Sequence, residues 1–161
     1  MTGGRSWPFW AMVVLLILVD LTLHLGLGLG REAPDLITIA ALLAARRLSG
    51  AGAAALGVGL GLLRDSLSIV AFGADAIALG LVSYLASRTR DLFIGDTLPF
   101  FAVYLLLGKW VHDALYLLIR GSVTGGNWMQ RLLTEAPITA LYAAAAGVVV
   151  ILAYRLMRGS A

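Results

Sequence analysis

Asp20 and His24 stand four residues apart inside one apolar run, and Lys109 and Asp113 do the same inside another, with His112 beside them. Arg64 and Asp65 adjoin near the end of a third such run. Residues four apart share a face of an α-helix, so each pair is presented together. An ionisable side chain in hydrocarbon is costly and marks a functional position by default. Three aspartates, Asp20, Asp65 and Asp113, and a histidine that can switch charge face two fixed cations, Arg64 and Lys109, which leaves the set nearly balanced; an unbalanced set would cost far more. Such groups can form a pocket that receives a ligand or a partner's side chain, or a set of ion pairs that fixes helix register.

Other chemistry finds less support. Neither histidine has a serine in a Gly-x-Ser-Gly-like context, and Phe72-Gly73-Ala74-Asp75 only faintly resembles an intramembrane aspartyl protease setting. No His-Glu-x-x-His spacing is present to hold a metal. The absence of cysteine removes thiol nucleophiles, thiolate metal sites and disulfides. The expectation is a protein that is not an enzyme, with no catalytic residue, metal or cofactor.

The elements that position these residues are apolar runs. Of 161 residues, 60% are hydrophobic and 13% charged, against about 25% charged in a soluble domain; the mean hydropathy is +0.92. A crossing helix needs about 20 residues, and runs near that length fall at 7–29, 34–48, 51–70, 74–87, 98–119 and 132–157. They fill the chain and leave no room for a separate aqueous domain. The first run is too long for the roughly 7–15-residue core of a signal peptide. The reading is an all-α, polytopic membrane protein, a single six-helix transmembrane bundle over 1–161. The second and fourth runs are short, and the second is open to a re-entrant reading.

Charge placement arbitrates. With the N-terminus inside and six crossings, Arg5, Arg46, Arg47, Arg88, Arg90, Arg155 and Arg158 are cytoplasmic, and Arg31, Arg64, Arg120 and Arg131 external. That asymmetry satisfies the positive-inside bias with both ends in the cytoplasm. Glu32, Asp35, Asp75 and Glu135 in the outer connections carry little weight in that rule. Trp7, Phe9, Trp10 and Trp128 fit interfacial anchors. The net charge of +3 comes from these scattered arginines, with no basic block suited to nucleic acid. At about 1.5 Å per residue, Asp20, Arg64, Lys109 and Asp113 share one depth, roughly 17 to 22 Å from the inner edge, which predicts an outward-facing polar pocket. Gly57 and Gly61 form a small-xxx-small pair whose first use is packing inside the bundle. The alternating glycines from Gly26 to Gly30 loosen the outer end of the first run and lack the strand and helix of a nucleotide fingerprint.

Over 33–93 the chain has Pro-Asp opening a short apolar helix, a basic pair, a Gly-rich helix ending in Leu-x-Asp, a Gly-containing outer loop and a helix closing on Tyr-Leu and arginines. Pro34, Asp35, Arg46, Arg47, Gly57, Gly61, Asp65, Gly73, Tyr84 and Leu85 carry this pattern, which resembles the rod shape-determining protein MreD family. The resemblance implies a non-enzymatic scaffold of the bacterial inner (cytoplasmic) membrane that binds MreC and supports side-wall peptidoglycan synthesis and cell shape. MreB, RodA and a class B penicillin-binding protein belong to the same complex. It also implies a fold similar to the substrate-binding subunits of energy-coupling-factor vitamin transporters. A small-molecule-binding transporter subunit is therefore the alternative. Arg64 departs from the family pattern, where an apolar residue is expected, and on this reading pairs locally with Asp65.

Overall fold

The structure, a computed structural model, describes residues 7–26, 35–67, 72–89, 97–124 and 128–159. Arg5, Gly28, Gly30, Arg31, Glu32, Pro34, Val70, Arg90 and Phe93 lie outside the described residues, as do the side chains of Trp128, Arg131 and Arg158. Helices α1 (Trp7–Leu21), α2 (Leu36–Ala45), α3 (Gly50–Ser66), α4 (Ala74–Thr89), α5 (Leu98–Thr124) and α6 (Trp128–Gly159) follow in chain order, and no strand occurs among the described residues. A π-helical turn, Thr22–Gly26, extends α1.

Local chemistry sets the helix limits. Asp35 caps α2, accepting from the Thr38 amide at 3.0 Å and the Thr38 hydroxyl at 2.8 Å. Ser49 caps α3 by accepting from the Gly52 amide at 3.3 Å. Both supply oxygens to amides that a helix start leaves without intrahelical partners. Gly73, at φ +95°, makes the left-handed turn into α4, a conformation that suits a residue without Cβ. Pro8 and Pro99 fall in first turns, where a missing amide proton is tolerated. Pro137 lies inside α6, where it removes one backbone hydrogen bond.

The run expected at 34–48 forms a helix of only ten residues, about 15 Å long and half the hydrocarbon thickness. All ten residues are buried, and α2 packs against α1, α3, α4, α5 and α6. Its alanines, Ala40, Ala41, Ala44 and Ala45, let five neighbours crowd around one short rod. Thus α2 is the axis of the bundle.

Contacts at the two ends show that successive helices alternate in direction. Arg47 at the end of α2 stacks on Phe9 of α1, Arg46 lies over Phe101 of α5, Arg155 of α6 reaches the same ring, and Ser87 of α4 donates to Leu48 O ahead of α3. Both ends of the described chain therefore lie at one end of the bundle. The closest pair is α3 with α4. A Cβ on Gly57 would stand 2.5 Å from Leu79 O, and one on Gly61 2.4 Å from Ala76 Cα. The small-xxx-small pair is thus spent inside the chain.

The outer surface is apolar. Leu15, Leu18, Ile138, Leu141, Val149 and Leu156 are exposed, whereas Asp20, Asp35, Asp65, Lys109 and His112 are buried. That is the reverse of a protein in water. Three segments, Trp7–His24, Leu98–Arg120 and Leu132–Met157, are long and apolar enough to cross a membrane. At 17 and 16 residues, α3 and α4 reach about 24 to 26 Å.

Candidate functional site

The N-terminus of α2 ends inside the bundle, and its free amides demand acceptors where water is scarce. Asp20, projecting from α1, supplies one: its Oδ1 accepts from Leu36 N at 2.8 Å and lies 3.4 Å from Ile37 N. Its Oδ2 lies 3.2 Å from His24 Nδ1, and the same ring nitrogen is 2.9 Å from the Asp20 carbonyl. The wide π turn brings His24 back over Asp20; such turns are frequent at functional sites.

Asp35 is the centre of the charged set. Beyond its cap, Oδ2 lies 2.9 Å from Arg64 Nη1 of α3 and 2.8 Å from Lys109 Nζ of α5. Lys109 also bonds Asp113 one turn along α5. Arg64 Nε stands 3.7 Å from Asp75 Oδ2 at the start of α4. His112 lies between two carboxylates, with Nε2 3.2 Å from Asp75 Oδ1 and Nδ1 3.2 Å from Asp113 Oδ1. Thr139 of α6 completes the set, its hydroxyl 2.9 Å from Asp113 Oδ2. Arg64, Asp75, Lys109, His112 and Asp113 thus join the Asp35 cap in one ionic network of three carboxylates, two fixed cations and a histidine, with the Thr139 hydroxyl of α6 beside it; the Asp20–His24 pair adjoins it through the α2 amides.

Of the residues singled out from sequence, Arg64, Lys109, His112 and Asp113 meet in this network, Asp20 and His24 form the adjoining pair, and Asp65 does neither. Asp65 turns to the α3–α4 connection, where its oxygens accept from Asp75 N at 3.3 Å and Ala76 N at 3.0 Å. The expected local pairing of Arg64 with Asp65 is replaced by Arg64 to Asp35 and Asp75. Adjacent helical residues do not face each other, and each carries its charge to a different neighbour. Sequence reading placed Asp35 only in the family pattern, set Asp75 aside as a loop acid and passed over Thr139. The legible signal for Asp35 was the Asp-x-x-Thr cap, which buries a carboxylate wherever the helix start is buried.

Asp20 and His112 are each 2% exposed and Lys109 6%, while the side chains of His24 and Arg64 are 25% and 23% exposed; His112 Nε2, though 3.2 Å from Asp75 Oδ1, makes no hydrogen bond among the described residues. Ligand atoms of Asp35, His112 and Asp113 lie within 4.8 Å of each other, close enough to suit a metal ion, but the Lys109 ammonium bonds Asp35 and Asp113 and occupies the cation position. A cavity of about 180 Å³ lies elsewhere, between α4 and α5 over Leu42, and is almost wholly apolar.

These features define an all-helical protein of membrane character, organised around a buried ionic network. No family model, curated protein or solved structure matches the chain.

Proposed function

We propose that the chain is a non-enzymatic scaffold of the bacterial inner membrane that crosses it six times with both ends in the cytoplasm. Its direct partner is MreC, in the complex with MreB, RodA and a class B penicillin-binding protein that builds the side wall and maintains cell shape. The pattern from Asp35 to Leu85 that resembles the MreD family supports the partner. The observation that carries the scaffold reading is the ionic network with its adjoining Asp20–His24 pair, whose carboxylates, cations and histidines tie the helices to one another. Both histidines face aspartates, and the hydroxyls of Ser66 and Ser87 donate to the carbonyls of Leu63 and Leu48, so no serine–histidine pair is assembled from them.

One observation favours the transporter-subunit reading. A half-length helix whose N-terminus opens at membrane depth is the device by which many transporters hold anionic substrates. Here that terminus is already capped by Asp20 and Asp35, which favours the scaffold. Extraction of the tagged protein in mild detergent separates the two. MreC is expected to co-purify, and Asp113→Ala to reduce its recovery more than Leu152→Ala at an exposed position. Recovery of an ATPase-driven coupling module without MreC contradicts the scaffold.

A further inference from the structure

The apolar cavity between α4 and α5 shares Tyr104 with the surroundings of an arginine, Arg46. Its walls are Val82 and Ala86 of α4 with Tyr104, Gly108 and Val111 of α5, and its floor is Leu42 of α2. Gly108 seats the Leu42 side chain, since a Cβ there would stand 2.7 Å from Leu42 Cδ1. One turn beyond Leu42, α2 ends at Arg46. The Arg46 guanidinium lies 4.6 Å from the centroid of Phe101, 5.5 Å from Phe100 and 5.6 Å from Tyr104. Its Nη1 is buried and has no hydrogen-bond partner among the described residues. Tyr104 belongs to both features: its ring lines the cavity and flanks the guanidinium, and its hydroxyl donates to Leu42 O at 2.8 Å.

We infer that this groove binds an anionic phospholipid, with one acyl chain against Leu42 between α4 and α5 and the phosphate at Arg46. Charge complementarity selects this occupant. Apolar walls alone do not distinguish lipid from a partner helix, because hydrocarbon tails are as apolar as leucine. An arginine beside the Tyr104 wall of the groove does distinguish, since a planar guanidinium matches phosphate geometry. Cation–π contact with three rings holds that guanidinium beside Tyr104. A neutral tail fills the groove equally well, so the headgroup provides the selectivity. The inference stands on α2, α4 and α5 alone and does not depend on the scaffold reading.

Native mass spectrometry of the full chain in mild detergent tests it. Phosphatidylglycerol and phosphatidylcholine with identical acyl chains are titrated separately. The wild type is expected to prefer phosphatidylglycerol by about fivefold, the equivalent of the ~1 kcal/mol that one arginine contributes toward an anionic headgroup. Arg46→Gln is expected to bring that ratio near one and leave phosphatidylcholine binding unchanged. Leu107→Trp, at the groove wall, is expected to weaken both lipids. Glycerol phosphate, which has a headgroup and no tail, is expected not to compete. Should Arg46→Gln fail to fold, Arg46→Lys keeps the charge but loses the planar fork, and a smaller preference is expected. Equal binding of the two lipids by the wild type overturns the inference. So does a preference that Arg46→Gln leaves intact, or binding that Leu107→Trp leaves intact, the outcome expected where the groove seats a partner helix instead.

Discussion

Asp35 joins three kinds of demand in one carboxylate: it caps its own helix, accepts from Arg64 and accepts from Lys109. Removing it takes from Arg64 and Lys109 the carboxylate they share, leaving each with one other. Breaking a buried pair from one side costs about 3–5 kcal/mol, so Asp35→Ala is expected to lower the thermal midpoint in detergent sharply, while Leu152→Ala at an exposed position leaves it nearly unchanged. A midpoint equal to wild type in Asp35→Ala means that the network holds nothing together. Asp65 makes a smaller demand, two amides at the start of α4. Loss of a cap costs about 0.5–2 kcal/mol, and Asp65→Asn, which keeps an acceptor oxygen, is expected to fall between wild type and Asp65→Ala in the same melt. Much of this residue-level picture was legible in the sequence, because an aspartate or lysine amid leucines is costly and the four-residue spacings put partners on one face. Asp35 and Asp75 were not legible as network members. Each borders a connection, and only the tertiary arrangement reveals that the Asp35 carboxylate is buried and that of Asp75 largely so.

Helix lengths and packing faces show where sequence patterns suffice and where they fail. The long runs of α1, α5 and α6 were readable from apolar length alone, whereas α2 was not. An apolar stretch of fifteen residues and a ten-residue helix buried on every side look alike in sequence, since periodicity vanishes when no face meets a different environment. Glycines on α3 offer a direct test of how that helix meets α4. Gly61→Ala would drive a Cβ to 2.4 Å from Ala76 Cα, and Gly57→Ala one to 2.5 Å from Leu79 O, whereas a Cβ on Gly59 meets nothing within 4 Å. Overpacking of that kind costs about 1–3 kcal/mol, and replacing a helical glycine in open space by alanine gains about 0.5–1 kcal/mol. Gly57→Ala and Gly61→Ala are therefore expected to melt below wild type, with Gly59→Ala at or above it. Equal melting of all three contradicts the close α3–α4 contact.

For the whole molecule, a bundle turned inside out relative to a soluble protein follows from its solvent: apolar side chains face outward, and charged ones are drawn to a shared interior where they neutralise each other. Alternating helix directions gather Arg46, Arg47, Arg88 and Arg155 at the end that holds both described termini. Positive charge of that kind is retained in the cytoplasm, and the proposed six-crossing orientation rests on it. Because the chain has no cysteine, single introduced cysteines report sidedness without background. Phe72, Ala51 and Met157 are exposed and lie respectively at the α3–α4 turn, the first turn of α3 and the end of α6. A membrane-impermeant maleimide added to intact cells is expected to label Phe72→Cys, and to label Ala51→Cys and Met157→Cys only after permeabilisation. Labelling of Ala51→Cys or Met157→Cys in intact cells, with Phe72→Cys protected, contradicts it.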